Sequence, residues 1–434
     1  MEWKKLKLKE ATLNSIKSLT IHGFPNIFRA NHILIKIWWF FLTICSIGFS
    51  IHFITQTLIE YFSYLVTTQV NLRDNLGFIN FPVVSICNSN KLSTSNASPY
   101  LKYLFSNYSA NENESTIEII QMLKWKEADE LFEFLNITME NRQNISNSIK
   151  DMLIDCKFTD TYCSLKDFEW IFNRKYGNCY RFNSISKPKI VYEIDSYHGL
   201  TMVLNLSQSK EIDSLDISKG FYLSIDDRRI NVYDNFDDVI FVESGLETSV
   251  MMDKATFYKK PLPYSACELE SEDNYESYYY INQLIKANYS YSKSYCLEFC
   301  IQDQILSECN CTLPKNSIKL PKLNYCPMNV NSNEYICAKE NENNKAFHSK
   351  CKIECPLECK RNKFISYVTT KKFDSDIMKY LNKSSNKNDL IILKIYFGST
   401  SDIEYKQSVA MSKYNLISNI GGTLGIFLGK ILKD

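Results

Sequence analysis

Between Ile37 and Ile59 the chain reads IWWFFLTICSIGFSIHFITQTLI, 23 residues without a Lys, Arg, Asp or Glu. At about 1.5 Å per residue, a helix of that length spans roughly 35 Å, enough to cross a ~30 Å hydrocarbon core with some tilt. Trp38 and Trp39 stand at one end, where interfacial aromatics belong. A secretory signal peptide has a shorter apolar core nearer its start, so residues 37–59 read as a membrane helix. Residues 1–36 carry seven Lys or Arg against Glu2 and Glu10, whereas Arg73 is the only basic residue between Glu60 and Phe81. Positive flanks stay inside, so 1–36 is expected to be cytosolic.

Glycosylation sequons point the same way. Asn96, Asn107, Asn113, Asn136, Asn144, Asn205, Asn288, Asn310 and Asn382 each head an N-x-S/T triplet. None precedes the apolar run and none lies beyond residue 384. Residues 60–415 therefore read as extracellular. All these asparagines are glycan candidates except Asn310, which is wedged between Cys309 and Cys311.

Of 15 cysteines, Cys45 lies in the apolar run, and 15 − 1 leaves 14, an even number. The densest stretch runs Cys296-Leu-Glu-Phe-Cys300, Cys309-Asn-Cys311, Cys326, Cys337, Cys351, Cys355 and Cys359. CxxxC and CxC spacings can hold zinc. They can equally be disulfide partners, and an extracellular location favours disulfides. No metal site is assigned. A net charge of +1 leaves no basic surface for nucleic acid. The five histidines are scattered, with no GxSxG, HExxH or phosphate loop, so no enzyme, catalytic residue or cofactor is expected.

Residues 88–180 read as a polar lobe with helices over 100–106, 116–134 and 147–154. Strand composition follows at 191–194, 200–206, 221–225, 239–242 and 390–397. Helix is expected over 266–301 and 374–381. The ectodomain is thus mixed α+β, a central sheet with peripheral helices. A second apolar stretch begins at Leu416. There Gly421, Gly422, Gly425 and Gly429 give a small-residue face that lets membrane helices approach closely, against the plainer reading of a short core helix.

In this order the motifs carry a resemblance. His22-Gly23 precedes the first apolar run. Phe81-Pro-Val-Val-Ser-Ile-Cys87-Asn88 comes after it, then Gly177-Asn-Cys179-Tyr180-Arg-Phe182-Asn183 and Leu262-Pro263-Tyr264-Ser-Ala-Cys267. After the dense cysteine stretch comes Ser418-Asn-Ile-Gly421-Gly422-Thr-Leu-Gly425. Over nearly its whole length the chain resembles the degenerin/epithelial sodium channel family, which includes the acid-sensing ion channels. A lone His-Gly or Gly-Gly says little; six ordered motifs say much.

The resemblance implies a trimeric, sodium-selective, amiloride-sensitive cation channel of the plasma membrane, gated through its ectodomain. Sodium is the permeant ion, the partners are identical or related subunits and lipid, and no cofactor is involved. Residues 88–180 would be finger-like, 189–257 with 390–397 the palm-like sheet, and 267–359 a thumb-like disulfide ladder. The implied pairs are Cys87 with Cys179, Cys156 with Cys163, Cys267 with Cys359, Cys296 with Cys355, Cys300 with Cys351, Cys309 with Cys337 and Cys311 with Cys326. His22, Gly23, Tyr64, Tyr264 and Ser418 would serve gating, Tyr64 touching Tyr264. Read without the family, the tyrosines are ordinary aromatics and Ser418 is a helix N-cap.

Residues 416–434 are expected to be an incomplete second membrane helix. Leu416 to Leu432 gives about 25 Å of helix against a ~30 Å core. Where the family has a Gly-small-Ser filter, Gly429 is followed by Lys430, and a ring of lysines disfavours cations. The chain alone is therefore expected to carry no sodium current. A single-pass, disulfide-rich receptor or a modulatory subunit is the alternative. Glycosidase treatment of protein from secretory cells is expected to raise its gel mobility; an unchanged band would contradict the extracellular placement.

Overall fold

A computed structural model describes residues 24–429 apart from 75–76, 94, 108–118, scattered positions between 122 and 138, 174, 185–186, 207–218, 228–238, 269–278, 281–290, 314–325, 327–331 and 373–386. Helix α1 (Ile33–Phe62) contains the uncharged run and extends past it at both ends, since nothing in the flanks breaks a helix. It leads to β1 (Val66–Asp74), β2 (Ile79–Asn80) and β3 (Val83–Asn88). Helices α2 (Ser98–Asn107) and α3 (Met139–Ile145) come next, then β4 (Leu153–Phe158), β5 (Thr161–Tyr162), β6 (Phe168–Asn173), β7 (Gly177–Phe182) and β8 (Ile190–Val191). After them stand β9 (Leu200–Asn205), β10 (Gly220–Asp226), β11 (Ile240–Glu243), β12 (Leu246–Tyr258) and β13 (Cys267–Glu268). Helices α4 (Lys293–Cys309), α5 (Asn333–Glu342) and α6 (Lys345–Glu354) precede β14 (Leu357–Glu358), β15 (Lys360–Lys372), β16 (Leu390–Phe397) and β17 (Ser401–Val409). Helix α7 (Lys413–Leu428) comes last.

The chain divides into two compact units. One holds Met1–Gln69, Leu262–Ser265 and Gln407–Asp434; the other holds Val70–Pro261 and Ala266–Lys406. Among the described residues the strands form an eight-stranded sheet, β1-β17-β12-β16-β9-β4-β5 with β15 on β12, and a five-stranded sheet, β11-β10-β3-β7-β6. The single sheet expected over 189–257 and 390–397 is therefore two: β9, β12 and β16 join the first, β10 and β11 the second. Residues 88–180 are less helical than expected, because β4 to β7 supply strands to both sheets. The helix expected over 147–154 lasts one turn, Ile149–Met152, and Leu153 starts β4, whose alternating burial pairs it with β9. The strand expected at 191–194 stops at Val191.

In the larger unit the two sheets meet on a phenylalanine cluster. Phe81, 1% exposed, lies 5.0 Å from Phe158 of β4, 6.5 Å from Phe182 of β7 and 6.0 Å from Phe397 of β16, ring centre to ring centre. The Phe81-Pro and Tyr180-Arg-Phe182-Asn183 motifs form one unit here. Val84 pairs with Phe182 and Cys87 with Cys179 across β3 and β7, and the last pair is a disulfide. Asn183, with a left-handed φ of 67°, donates its amide to the carbonyls of Phe81 (2.7 Å) and Pro82 (3.1 Å). Asparagine tolerates that backbone and carries the donor the buried carbonyls require.

The helix expected over 266–301 starts only at Lys293, capped by Ser292, whose hydroxyl accepts from Tyr295 N at 3.2 Å. Its buried face carries Cys296, Phe299 and Cys300 at helical spacing. Disulfides tie that face to the C-terminal end of α6: Cys300 to Cys351 within the helix, and Cys296 to Cys355 just past it. Cys309–Cys337, Cys311–Cys326, Cys267–Cys359 and Cys156–Cys163 complete the pairs, and Cys45 is free. The helix expected over 374–381 and most of that over 116–134 lie outside the described residues. Phe81→Ala is expected to cost about 3–5 kcal/mol, read as a lower denaturant midpoint for protection from trypsin. Ile353→Ala, at a side chain 80% exposed, is expected to shift it by no more than about 0.5 kcal/mol.

Candidate functional site

The smaller unit brings α1 and α7 together. Apolar surroundings demand that every polar group be satisfied within the helices. Thr43 and Thr57 accordingly donate to the carbonyls of Trp39 and Phe53 one turn back, at 2.7 and 2.8 Å, and Thr423 to that of Asn419 at 2.8 Å. Between the helices, Ser46 Oγ donates to the Phe427 carbonyl at 2.5 Å, and the Phe427 ring stacks on Phe49 (6.3 Å) and Phe53 (5.8 Å). The packing element is thus aromatic. The small-residue face does not supply it: a Cβ placed on Gly421, Gly422 or Gly425 meets nothing within 4 Å among the described residues. At Gly429 a Cβ would meet the Gly425 carbonyl of the same helix, and the chain there leaves helical geometry. Lys430, His22 and Gly23 lie outside the described residues.

At the end of α1, Tyr64 adopts a left-handed φ of 52°, which stops the helix. Its ring meets that of Tyr264 edge to face, centroids 5.5 Å apart at 90°. Beside this contact the Ala410 amide donates to the Leu65 carbonyl at 2.9 Å, and the hydroxyls of Thr67 and Ser408 lie 2.8 Å apart. Ser265 Oγ donates to Gln407 Oε1 at 3.1 Å. The residues leading out of α1 and those leading into α7 are therefore tied directly, next to the tyrosine pair. Ser418 is an exposed interior residue of α7 rather than a cap; the cap is Ser412, whose hydroxyl accepts from Asn415 N.

Among the glycan candidates, Asn96 and Asn144 are exposed and Asn205 is half-buried at the end of β9. The Asn107 side chain, Asn113, Asn136, Asn288 and Asn382 lie outside the described residues. Among the described residues no group of three His, Cys, Asp or Glu could hold a metal ion.

In the larger unit, one loop sets a histidine between two carboxylates. His198 Nδ1 lies 3.0 Å from Asp195 Oδ1 and its Nε2 3.1 Å from Glu193 Oε2. Asp195 also accepts from the backbone amides of Tyr197 (2.6 Å) and His198 (2.9 Å). The Asp195 hydrogen bond, with the charges of Asp195, Glu193 and Asp160, holds the imidazole above its ordinary value against partial desolvation. Desolvation raises Asp195, but the two amides and His198 outweigh it and hold the carboxyl low. His198⁺ therefore adds stability below its unfolded pKa of about 6.5, and loses it as pH rises through the raised folded value. The Asp195 contribution fails only as pH falls through its depressed value. In the sequence His198 is one of five scattered histidines; its carboxylate neighbours three and five residues before it are the signal that singles it out.

Residues 15–430 match the amiloride-sensitive sodium channel family. The chain belongs to that family. It is 26% identical over 316 residues to the rat epithelial sodium channel subunit gamma, covering 67% of this chain and 46% of that one. It is 25% identical to the Xenopus laevis subunit beta-2, covering 68% and 47%. The human bile acid-sensitive ion channel is 22% identical over 445 residues, covering 96% and 82%. The chain thus spans about half the length of the epithelial subunits it matches. A solved proton-activated chloride channel aligns at 7% identity and a TM-score of 0.36, too low to bear on the fold. The amiloride-sensitive family consists of plasma-membrane channel subunits with a large extracellular domain, not enzymes. The protection factor for hydrogen exchange over residues 192–199, which is the rate corrected for the pH dependence of free amides, is expected to be larger at pH 5.5 than at pH 8. His198→Gln is expected to remove the difference; a difference that survives it would place the sensor elsewhere.

Proposed function

We propose that this family member is a subunit of a trimeric, sodium-preferring, amiloride-blocked cation channel, with a cytosolic N-terminus and residues 60–415 outside the cell. Related subunits are its natural partners, as the epithelial relatives suggest. The observation that carries the reading is the knot at the top of the helices. Tyr264 packs on Tyr64 directly after α1, and Ala410, shortly before α7, is bonded to Leu65. A displacement of residues 262–265 would reach both helices through this knot, which is what gating through an ectodomain requires. His22, Gly23 and Ser418 are carried as gating residues, and Gly421, Gly422, Gly425, Gly429 and Lys430 as the pore region, on family resemblance.

An edge-to-face tyrosine pair is worth about 0.5–1.5 kcal/mol, so losing it should move an open–closed equilibrium about 2- to 12-fold. The chain is to be co-expressed in oocytes with full-length family subunits. Surface co-purification is expected, with an amiloride-sensitive sodium current whose open fraction shifts by that factor in Tyr264→Ala. Tyr64→Ala with Tyr264→Ala should add little more. Failure of the chain to associate with any such subunit would overturn the proposal.

A further inference from the structure

A cavity of about 410 Å³ opens in the larger unit, between the chain entering β3, Asp227 directly after β10, and strands β12 and β15. That volume lies within the range of small-molecule sites, roughly 300–1,000 Å³. Its deepest lining is aromatic: Phe81 is 1% and Phe364 7% exposed, while Phe78 at the rim is 52% exposed. Of the polar lining residues, Lys254 is tied to Asp402 and Asn362 to Asp227, with Thr256 between the two pairs. Lys254 Nζ donates to Asp402 Oδ2 at 2.6 Å, and Thr256 Oγ1 lies 3.0 Å from both Asp402 oxygens. Thr256 Oγ1 also reaches Asn362 Oδ1 at 3.1 Å, and Asn362 Nδ2 donates to Asp227 Oδ2 at 2.6 Å.

The donor and acceptor inventory of this wall is lopsided. Both carboxylates are engaged: Asp402 by Lys254 and Thr256, Asp227 by Asn362. An ammonium group has three donors, and Asp402 takes one from Lys254. Lys360, also in the lining, has no carboxylate within ion-pair distance among the described residues; its ammonium stands 5.5 Å from the centre of the Tyr258 ring. The two ammonium charges are balanced in number by Asp402 and Asp227, but Lys254 keeps two donors and Lys360 three, and these stand beside flat apolar surface. We propose that this cavity is a binding site for a small organic anion, a carboxylate or sulfonate on a flat apolar body. The rings of Phe81, Phe364 and Phe78 take the body, and the Lys254 and Lys360 ammonium groups take the anion. The assignment rests on the cavity and not on the channel reading, and its test reads binding rather than current.

The probe is naphthalene-2-sulfonate, titrated calorimetrically into the full chain in lipid nanodiscs, with empty discs subtracted. Saturable binding of one probe per chain is expected. Lys360→Glu, at an exposed position, and Asn80→Trp, which puts an indole into the cavity from its exposed rim, are each expected to weaken it tenfold or more, with Lys360→Gln intermediate. 2-Naphthol and 2-naphthylmethylammonium are expected to bind at least tenfold more weakly than the sulfonate. Equal binding of the ammonium analogue, or unchanged sulfonate affinity in both Lys360→Glu and Asn80→Trp, would overturn the site.

Discussion

The phenylalanine cluster at Phe81 is what the larger unit is built on. One ring touches Phe158 and Phe397 of the eight-stranded sheet and Phe182 of the five-stranded sheet. Sheets that share no strand must be joined through side chains, and fully buried aromatics give the most apolar contact per residue. The backbone that carries Phe81 cannot pair as an ordinary ladder at this point. Asn183 satisfies its carbonyls, and the Phe81 amide donates to the Lys189 carbonyl at 2.8 Å. The same segment then floors the cavity, so a bound anion would press on the contact that holds the sheets together.

Disulfides do a different job around α4. Its hydrophobic cluster contains Cys296, Cys300, Cys309, Cys311, Cys326, Cys351 and Cys355 beside Tyr280, Tyr291, Tyr295, Phe299, Ile301, Ile305 and Leu313. Cross-links that close loops of 59, 51, 28 and 15 residues add to that burial by constraining the unfolded chain, by about 2–4 kcal/mol each in the chain-entropy account. Stiffness comes from the same bonds, because α4 cannot slide along α6 while Cys296 and Cys300 are held one turn apart.

In the smaller unit the limiting constraint is the unsatisfied polar group. Every hydroxyl bond described along α1 and α7 ends on a backbone carbonyl of its own or the facing helix. The aromatic stack on Phe427 fixes that face of α7 against α1. It leaves Gly421, Gly422 and Gly425 without a neighbour among the described residues of this chain.

By itself the sequence determined the long apolar helix, because an uncharged 23-residue run needs no partner to be read. The cysteine order sufficed for the pairing once the family was recognised. Tertiary structure decided the rest. Strand β15 went unread because Lys360, Arg361, Lys363, Lys371 and Lys372 break apolar alternation, and its partner β12 supplies the ladder that its own sequence does not announce. Asn183 looked like a motif letter until folding set its amide against Phe81. Lys254, Lys360 and Asp227 lie far apart in the chain and share a cavity only because β10, β12 and β15 converge there. Spacing along a chain reports neighbours on one element; which elements share a wall is fixed only when both sheets close on one core.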